Sequence, residues 1–271
     1  MKMKNLHNLF LKILKMIGDS AIKSFEKLRH RGGCKMIEEV EKKSKISNDS
    51  MKIAVLENGP YMVTGRVPLM TWKICKDEDT DRLIWREVEK YPIRKRYALC
   101  RCGQSGNKPF CDGTHSKIHF DGTEAGDFEP FSEGTNVITG PLLTLIDNKH
   151  LCVHAGFCTR AGKIWNLVEQ PENPEARDIA IEETCNCPSG RLVIIDNATG
   201  KTIEPELEKS IVVEEGPHRD EHGPLWVRGG IPIKSSDGKQ YEIRNRATLC
   251  RCGKSRNKPF CDGSHVEIER D

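Results

Sequence analysis

One sixteen-residue string occurs twice in this chain of 271 residues, and its spacing limits what the polypeptide can become. Cys100-Arg-Cys-Gly-Gln-Ser-Gly-Asn-Lys-Pro-Phe-Cys-Asp-Gly-Thr-His115 returns as Cys250-Arg-Cys-Gly-Lys-Ser-Arg-Asn-Lys-Pro-Phe-Cys-Asp-Gly-Ser-His265, with thirteen of sixteen positions identical and a constant offset of 150. Each copy reads C-x-C-x8-C-x3-H. Two cysteines two residues apart present both sulfurs to one centre, and the loop through Pro109 or Pro259 returns a third. Asp112 or Asp262 stands where it can cap a short helix, and Gly113 or Gly263 tolerates a tight backbone. His115 or His265 then lies one helical turn past the third cysteine, facing the same site. Three thiolates and one imidazole per copy suit a metal, zinc included.

The repeat continues upstream without a gap: Tyr91, Ile93, Arg94, Arg96 and Leu99 face Tyr241, Ile243, Arg244, Arg246 and Leu249. Alternating Tyr-x-Ile predicts a half-buried strand before each motif. Further back, Ile53-Ala-Val-Leu-Glu-Asn-Gly-Pro resembles Ile211-Val-Val-Glu-Glu-Gly-Pro, and Val67-Pro-Leu answers Ile231-Pro-Ile. Hydrophobic residues reach only 37% and aromatics 6%, a thin core that calls for metals or disulfides as staples. Twelve cysteines are available. Lys12 and Lys15 interrupt the apolar N-terminal positions, no small-residue cleavage site follows, and no stretch approaches the ~20 apolar residues of a membrane span. The expectation is a cytoplasmic protein whose cysteines are thiolate ligands rather than disulfides.

The sixteen-residue segment, as Cys-Asp-Gly-Thr-His and Cys-Asp-Gly-Ser-His, resembles the signature of the CDGSH iron–sulfur domain, the mitoNEET-like family. The resemblance implies one [2Fe–2S] cluster on Cys100, Cys102, Cys111 and His115, and a second on Cys250, Cys252, Cys261 and His265. It also implies a small β-rich module whose copies pack about a two-fold axis, made in some relatives from two chains and in others from tandem motifs in one chain; the segment inserted between the motifs here departs from both patterns. An imidazole in place of a thiolate leaves a cluster less negative and raises its potential, and the far nitrogen can exchange a proton.

Between the copies, Cys152-Val-His-Ala-Gly-Phe-Cys158 and Cys185-Asn-Cys187-Pro-Ser-Gly follow a different pattern. Ferredoxins use C-x2-C-x2-C with a distant Cys-Pro, and here Ala155 takes the second position. The segment is similar to divergent ferredoxin-like mono-cluster domains. That likeness implies Cys152, Cys158 and Cys187 as ligands of a [3Fe–4S] cluster, or of a [4Fe–4S] cluster if Cys185 completes it. His154 reads as an environment residue. A helix is expected from Glu175 to Glu183 and a strand from Arg191 to Ile195.

Residues 1–50 carry twelve basic and six acidic side chains, while the whole chain balances 43 against 40, so no global charge points to nucleic acid. Leu6, Leu9, Phe10, Ile13, Leu14, Ile17, Phe25 and Leu28 recur at three- and four-residue steps among lysines, predicting an amphipathic basic helix that docks on its own body or a second subunit, or lies on a membrane surface. His218-Arg-Asp-Glu-His222 matches a zinc-peptidase pattern but sits between Gly-Pro pairs that forbid the helix it needs. Gly200-Lys-Thr202 lacks the first glycine of a phosphate loop, with Ile195 in its place. Cys34 and Cys75 read as unligated thiols, Arg101 and Arg251 as exposed, solvated side chains.

The expected fold is α+β, built of β-rich, metal-dependent modules: the N-terminal helix and linker (1–50), a first CDGSH-type module (51–125), a ferredoxin-like module (126–200) and a second CDGSH-type module (201–271). The expected role is electron transfer with redox-protein partners and without catalysis by this chain. Cluster storage and transfer to apo-proteins, or redox sensing for a partner enzyme, stand as alternatives.

Overall fold

The computed structural model describes residues 34–36, 50–170, 174–216 and 222–268. The amphipathic helix expected within 1–50 lies outside them. The rest is β-rich with few helices.

Two sheets hold the duplicated segments. In the first copy, β2 (Lys52–Val55), β3 (Tyr61–Thr64) and β6 (Arg96–Leu99) pair antiparallel, Ile53 against Val63 and Tyr61 against Leu99. In the second, β11 (Ser210–Glu215), β12 (His222–Arg228) and β14 (Arg246–Leu249) repeat the arrangement, with Ile211 against Val227 and Leu225 against Leu249. Each trio is completed by a strand from the other copy. β4 (Leu69–Lys76) runs parallel to β11 with Leu69 opposite Ile211, and β13 (Ile233–Lys234) runs parallel to β2 with Ile233 opposite Ile53. The Pro-flanked patches make the crossing: Ile211 donates its N–H to the Pro68 carbonyl and Ile53 to that of Pro232, both at 2.9 Å. The resulting orders are β13-β2-β3-β6 and β14-β12-β11-β4-β5, the last strand being β5 (Leu83–Lys90).

Exchange of strands puts one apolar core under both copies. Ile53, Tyr61, Val63, Leu69 and Leu99 pack with Ile211, Val213, Leu225, Ile233 and Leu249, all almost fully buried. Tyr61 shares its hydroxyl hydrogen between the Cys250 and Pro259 carbonyls at 2.7 and 2.9 Å, so a core tyrosine of one copy holds the cysteine loop of the other. At the loops themselves the approach is reciprocal. A Cβ on Gly103 would stand 2.5 Å from the Cys252 carbonyl oxygen, and one on Gly253 would stand 2.7 Å from that of Cys102. Gly103 and Gly253 also sit at φ +77° and +79°, a conformation natural to glycine alone. Gly103→Ala is therefore expected to lose about 2 kcal/mol or more. Gly113→Ala, equally left-handed at φ +88° but with nothing near its Cβ, is expected to lose only about 1 kcal/mol. Urea midpoints of the two variants check this.

The strand predicted over Tyr91–Leu99 is shorter than its alternation suggests. Tyr91 donates to the Leu69 carbonyl, the chain then leaves the sheet at Pro92, and pairing resumes only at Arg96. Ile93 and Ile243 consequently stand exposed rather than half-buried.

The intervening segment builds its own sheet, β1-β10-β9-β8-β7, from β1 (Cys34–Met36), β7 (Asn136–Thr139), β8 (Leu143–Asp147), β9 (Leu192–Asp196) and β10 (Thr202–Pro205). Two helices, α2 (Ile164–Glu169) and α3 (Pro174–Cys185), cover it, burying Ile164, Leu167, Ala176 and Ala180 against Leu143, Leu145 and Ile194. The helix and strand expected from Glu175 and Arg191 are thus present.

Candidate metal centres

Each duplicated motif follows the end of a core strand, which fixes its first cysteine. Cys100 donates its backbone N–H to the Pro109 carbonyl at 2.8 Å, and Cys111 donates to Ala98 at 2.9 Å, folding the loop back beside the strand. Cys250 to Pro259 and Cys261 to Thr248 repeat those distances. Ser105 Oγ donates to the Phe110 carbonyl at 2.6 Å, and Ser255 to Phe260 at 2.7 Å. Asp112 accepts the Gly106 and Thr114 N–H groups, Asp262 those of Arg256 and Ser264. The Thr114 hydroxyl and backbone N–H hold the Asp112 carboxyl well below the usual carboxylate range. These contacts aim α1 (Thr114–Lys117) and α4 (His265–Ile268) so that the histidine faces the sulfurs.

The donors come in pairs. Cys100 and Cys102 sulfurs lie 3.8 Å apart, and Cys111 Sγ lies 3.3 Å from His115 Nδ1. The second copy has 3.6 Å between Cys250 and Cys252 and 3.3 Å between Cys261 and His265 Nδ1. Among the described residues no three His, Cys, Asp or Glu side chains converge on one ion position. Backbone N–H groups also aim at sulfur: Gly113 at Cys111, Gly263 at Cys261, Lys254 at Cys252. Burial pushes the Cys102 and Cys261 thiols up, a cost to the thiolate that a cation opposite it removes.

The two arginines inside the Cys-x-Cys pairs are not solvated. Arg101, 1% exposed, donates to the Leu56 and Gly122 carbonyls and lies over the Tyr61 and Phe120 rings. Arg251 donates to the Gly223 and Glu214 carbonyls and pairs with Glu215. Loop carbonyls distant in the chain converge on each guanidinium and take the place of solvent at most of its nitrogens.

The middle loop brings Cys152, Cys158 and Cys187 around one small cavity of about 40 Å³, with Ala155, Ser189 and Arg191 in its wall. Burial pushes the Cys158 thiol up to about 11, and the neighbouring Cys187 and Cys152 sulfurs add to it. Cys185 is disulfide-bonded, which removes it from the candidate ligands and departs from the expectation of reduced cysteines. Arg191, whose sequence context marks only the start of a strand, grips Asp147 at 2.6 and 2.9 Å beneath Trp165. His154 stands in the wall of the same cavity, and its ring packs on Gly263 of the second motif. Cys75 remains a free thiol on β4, and His222 sits at the start of β12, on a strand rather than the helix a peptidase motif needs.

Also missed were Arg244 and Arg246. Arg246, 1% exposed, donates to the Thr184, Cys187 and Leu192 carbonyls and pairs with Glu204, while Arg244 donates to Ser189 and Gly190. The Cys187 loop is therefore held from the second copy's strand.

A family model described as an iron-binding zinc finger of CDGSH type matches residues 58–116 and 222–266, and one described as a divergent 4Fe-4S mono-cluster matches residues 138–197. The chain carries two CDGSH regions around a mono-cluster domain. No curated protein and no solved structure matches it. The CDGSH copies differ in depth: His265 is buried and His115 half-exposed. Burial holds the His265 imidazole down to about 4, with the Arg251 charge adding to the effect.

A buried carboxyl marks the mono-cluster domain. Glu183 accepts the Ala161 N–H at 2.8 Å with one oxygen and has no partner for the other, and burial pushes it up to about 7. The folded chain then holds a proton that the unfolded chain releases near 4.5, so stability falls as pH rises from about 4.5 to 7. Glu183→Gln is expected to be about 1–3 kcal/mol more stable than the parent at pH 8 and no more stable at pH 5, measured by urea unfolding at the two pH values.

Proposed function

We propose that this is a multi-cluster electron-transfer protein. Cys100, Cys102, Cys111 and His115 would hold one [2Fe–2S] cluster, Cys250, Cys252, Cys261 and His265 a second, and Cys152, Cys158 and Cys187 a [3Fe–4S] cluster. The observation that carries the reading is the pairing of donors. A single tetrahedral ion draws four ligands to one point, whereas two cysteines facing a cysteine–histidine pair suit a binuclear cluster. Ala155 in the wall of the middle cavity, and the disulfide at Cys185, favour three ligands and three irons there.

When bound, the clusters supply one-electron acceptor sites of unequal potential. The residues then do three things. Arg101 and Arg251 offset thiolate charge, the two copies share one core and pair about a pseudo-two-fold axis, and the Gly103–Cys252 and His154–Gly263 contacts keep the three ligand loops next to one another. A second reading, cluster delivery to an apo-protein, is favoured by one observation: the half-exposed His115 beside the open space over Gly113.

Iron and sulfide per chain, with redox-poised paramagnetic resonance, test the proposal. About seven irons, about eight sulfides and reversible reduction are expected. Zinc without sulfide overturns it, and a middle site that is silent when oxidised but signals when reduced replaces three irons by four. Loss of clusters to an apo-ferredoxin faster than reoxidation selects delivery.

A further inference from the structure

The repeat is symmetric in sequence but not in what covers it. On the second CDGSH copy, two features receive the mono-cluster domain. Arg244 and Arg246 hold its Cys187 loop through backbone carbonyls and Glu204, and the Gly263 backbone receives its His154 ring, where a Cβ would come within 2.4 Å of Cδ2. The partner atoms at both places belong to loops that wall the same small cavity, so they form one face.

The first copy presents the same face uncovered. Arg94 and Arg96, the counterparts of Arg244 and Arg246, are exposed, and a Cβ on Gly113 would meet nothing within 4 Å. Lys52 extends the basic patch: Lys52, Thr64 and Arg96 form one cross-strand row, the equivalent of Ser210, Arg228 and Arg246. Lys52, Arg94 and Arg96 all stand exposed here, a positive charge that an acidic partner complements. Among the described residues none stands over this face.

We propose that the exposed face around Arg94, Arg96 and Gly113 docks a separate small acidic ferredoxin, in the manner that the second copy docks the chain's own mono-cluster domain. The inference rests on the ferredoxin-like reading of residues 138–197. The partner's cysteine-loop carbonyls and an acidic side chain would meet Arg94 and Arg96 as Ser189, Gly190, Cys187 and Glu204 meet their counterparts. Its cluster loop would lie beside His115, the more accessible of the two histidines. One difference sets the strength. The mono-cluster domain is also clamped by the β4–β5 hairpin, where Trp85 stacks on Phe157 at 4.9 Å and Arg160 donates to the Leu83 carbonyl. The corresponding turn of the second copy, between Ile233 and Tyr241, is short and carries no such hairpin. Without that clamp, and without a tether, docking on the first copy is transient and salt-sensitive.

The test titrates the full chain, with its iron and sulfide already counted, with a small acidic [4Fe–4S] ferredoxin at low ionic strength. Calorimetry gives the affinity and paramagnetic broadening maps the footprint. The expected footprint covers residues 92–96 and 113–115, and Arg94→Glu/Arg96→Glu weakens binding by at least about tenfold while Lys201→Glu, an exposed charge in the turn between β9 and β10, changes it by less than about twofold. Equal losses in both variants, a footprint elsewhere, or no binding overturn the proposal. So does sedimentation showing that the chain pairs with itself through this face, an association the double reversal would abolish. The iron count fails or holds separately, so loss of the cluster reading is not mistaken for loss of the docking one.

Discussion

Replacing Arg246 by alanine is expected to remove about 3–5 kcal/mol of stability, while replacing Arg96, its counterpart 150 residues earlier, is expected to change it by less than about 0.5 kcal/mol. The two residues occupy the same register on β14 and β6. Arg96 points into solvent. Arg246 lies against the mono-cluster domain, where its guanidinium donates to Thr184 at 2.5 Å, to Cys187 at 2.9 Å and to Leu192 at 3.0 Å, and pairs with Glu204. Truncation takes the guanidinium away from three carbonyls and from Glu204, which keeps only the Asn245 side-chain amide as a donor; a buried polar group that loses its partner costs its desolvation. Arg246→Lys keeps the charge but cannot form the fork, and is expected to fall between the two. Because the Cys187 carbonyl is one of the acceptors, iron at the middle site should fall with stability in Arg246→Ala and remain intact in Arg96→Ala. Urea unfolding and metal analysis read both quantities. Equal effects in the two alanine variants would mean that the contact does not hold the domain.

That contrast shows where a sequence stops speaking. The two CDGSH motifs were legible because metal coordination needs particular side chains at particular spacings, and two copies state the spacing twice. The helix ending at Cys185 and the strand from Leu192 were legible from local pattern. Arg96 and Arg246 are the same residue in the same repeat position, and no local rule tells them apart; an inserted domain does. Arg101 and Arg251 were misread for a related reason, since the carbonyls of Leu56, Gly122, Gly223 and Glu214 that bury them come from other loops. The strand exchange is the largest feature without a local signal. Val67-Pro-Leu and Ile231-Pro-Ile announce short apolar segments, but the edge each one completes belongs to a strand about 140 to 180 residues away, and pairing at such separation is set by the shared core beneath it.

On the proposed ligand sets, acid should take the first CDGSH cluster before the second. A histidine ligates through a neutral ring nitrogen, so protonation of that nitrogen breaks the bond. Access to the proton differs between the copies: His115 is half-exposed beside an open Gly113, whereas His265 is 8% exposed and screened by the His154 ring packed on Gly263. Burial disfavours the charged imidazolium, which lowers the pH at which it forms. Bleaching of the visible spectrum at mildly acidic pH is therefore expected in two phases, the slower by more than about tenfold. His115→Cys should abolish the fast phase and lower the first cluster's potential by on the order of 100 mV, because a thiolate adds negative charge where the imidazole was neutral. His265→Cys should abolish only the slow phase. His154→Ala, which touches neither ligand set directly but uncovers Gly263, should bring the slow phase toward the fast one without altering the first cluster's potential. Paramagnetic spectra of the reduced protein, taken as bleaching proceeds, assign each phase to its site. A single phase indifferent to His115→Cys would show that the imidazole is not where acid enters, and that the exposure of the first copy has no bearing on how long its cluster lasts.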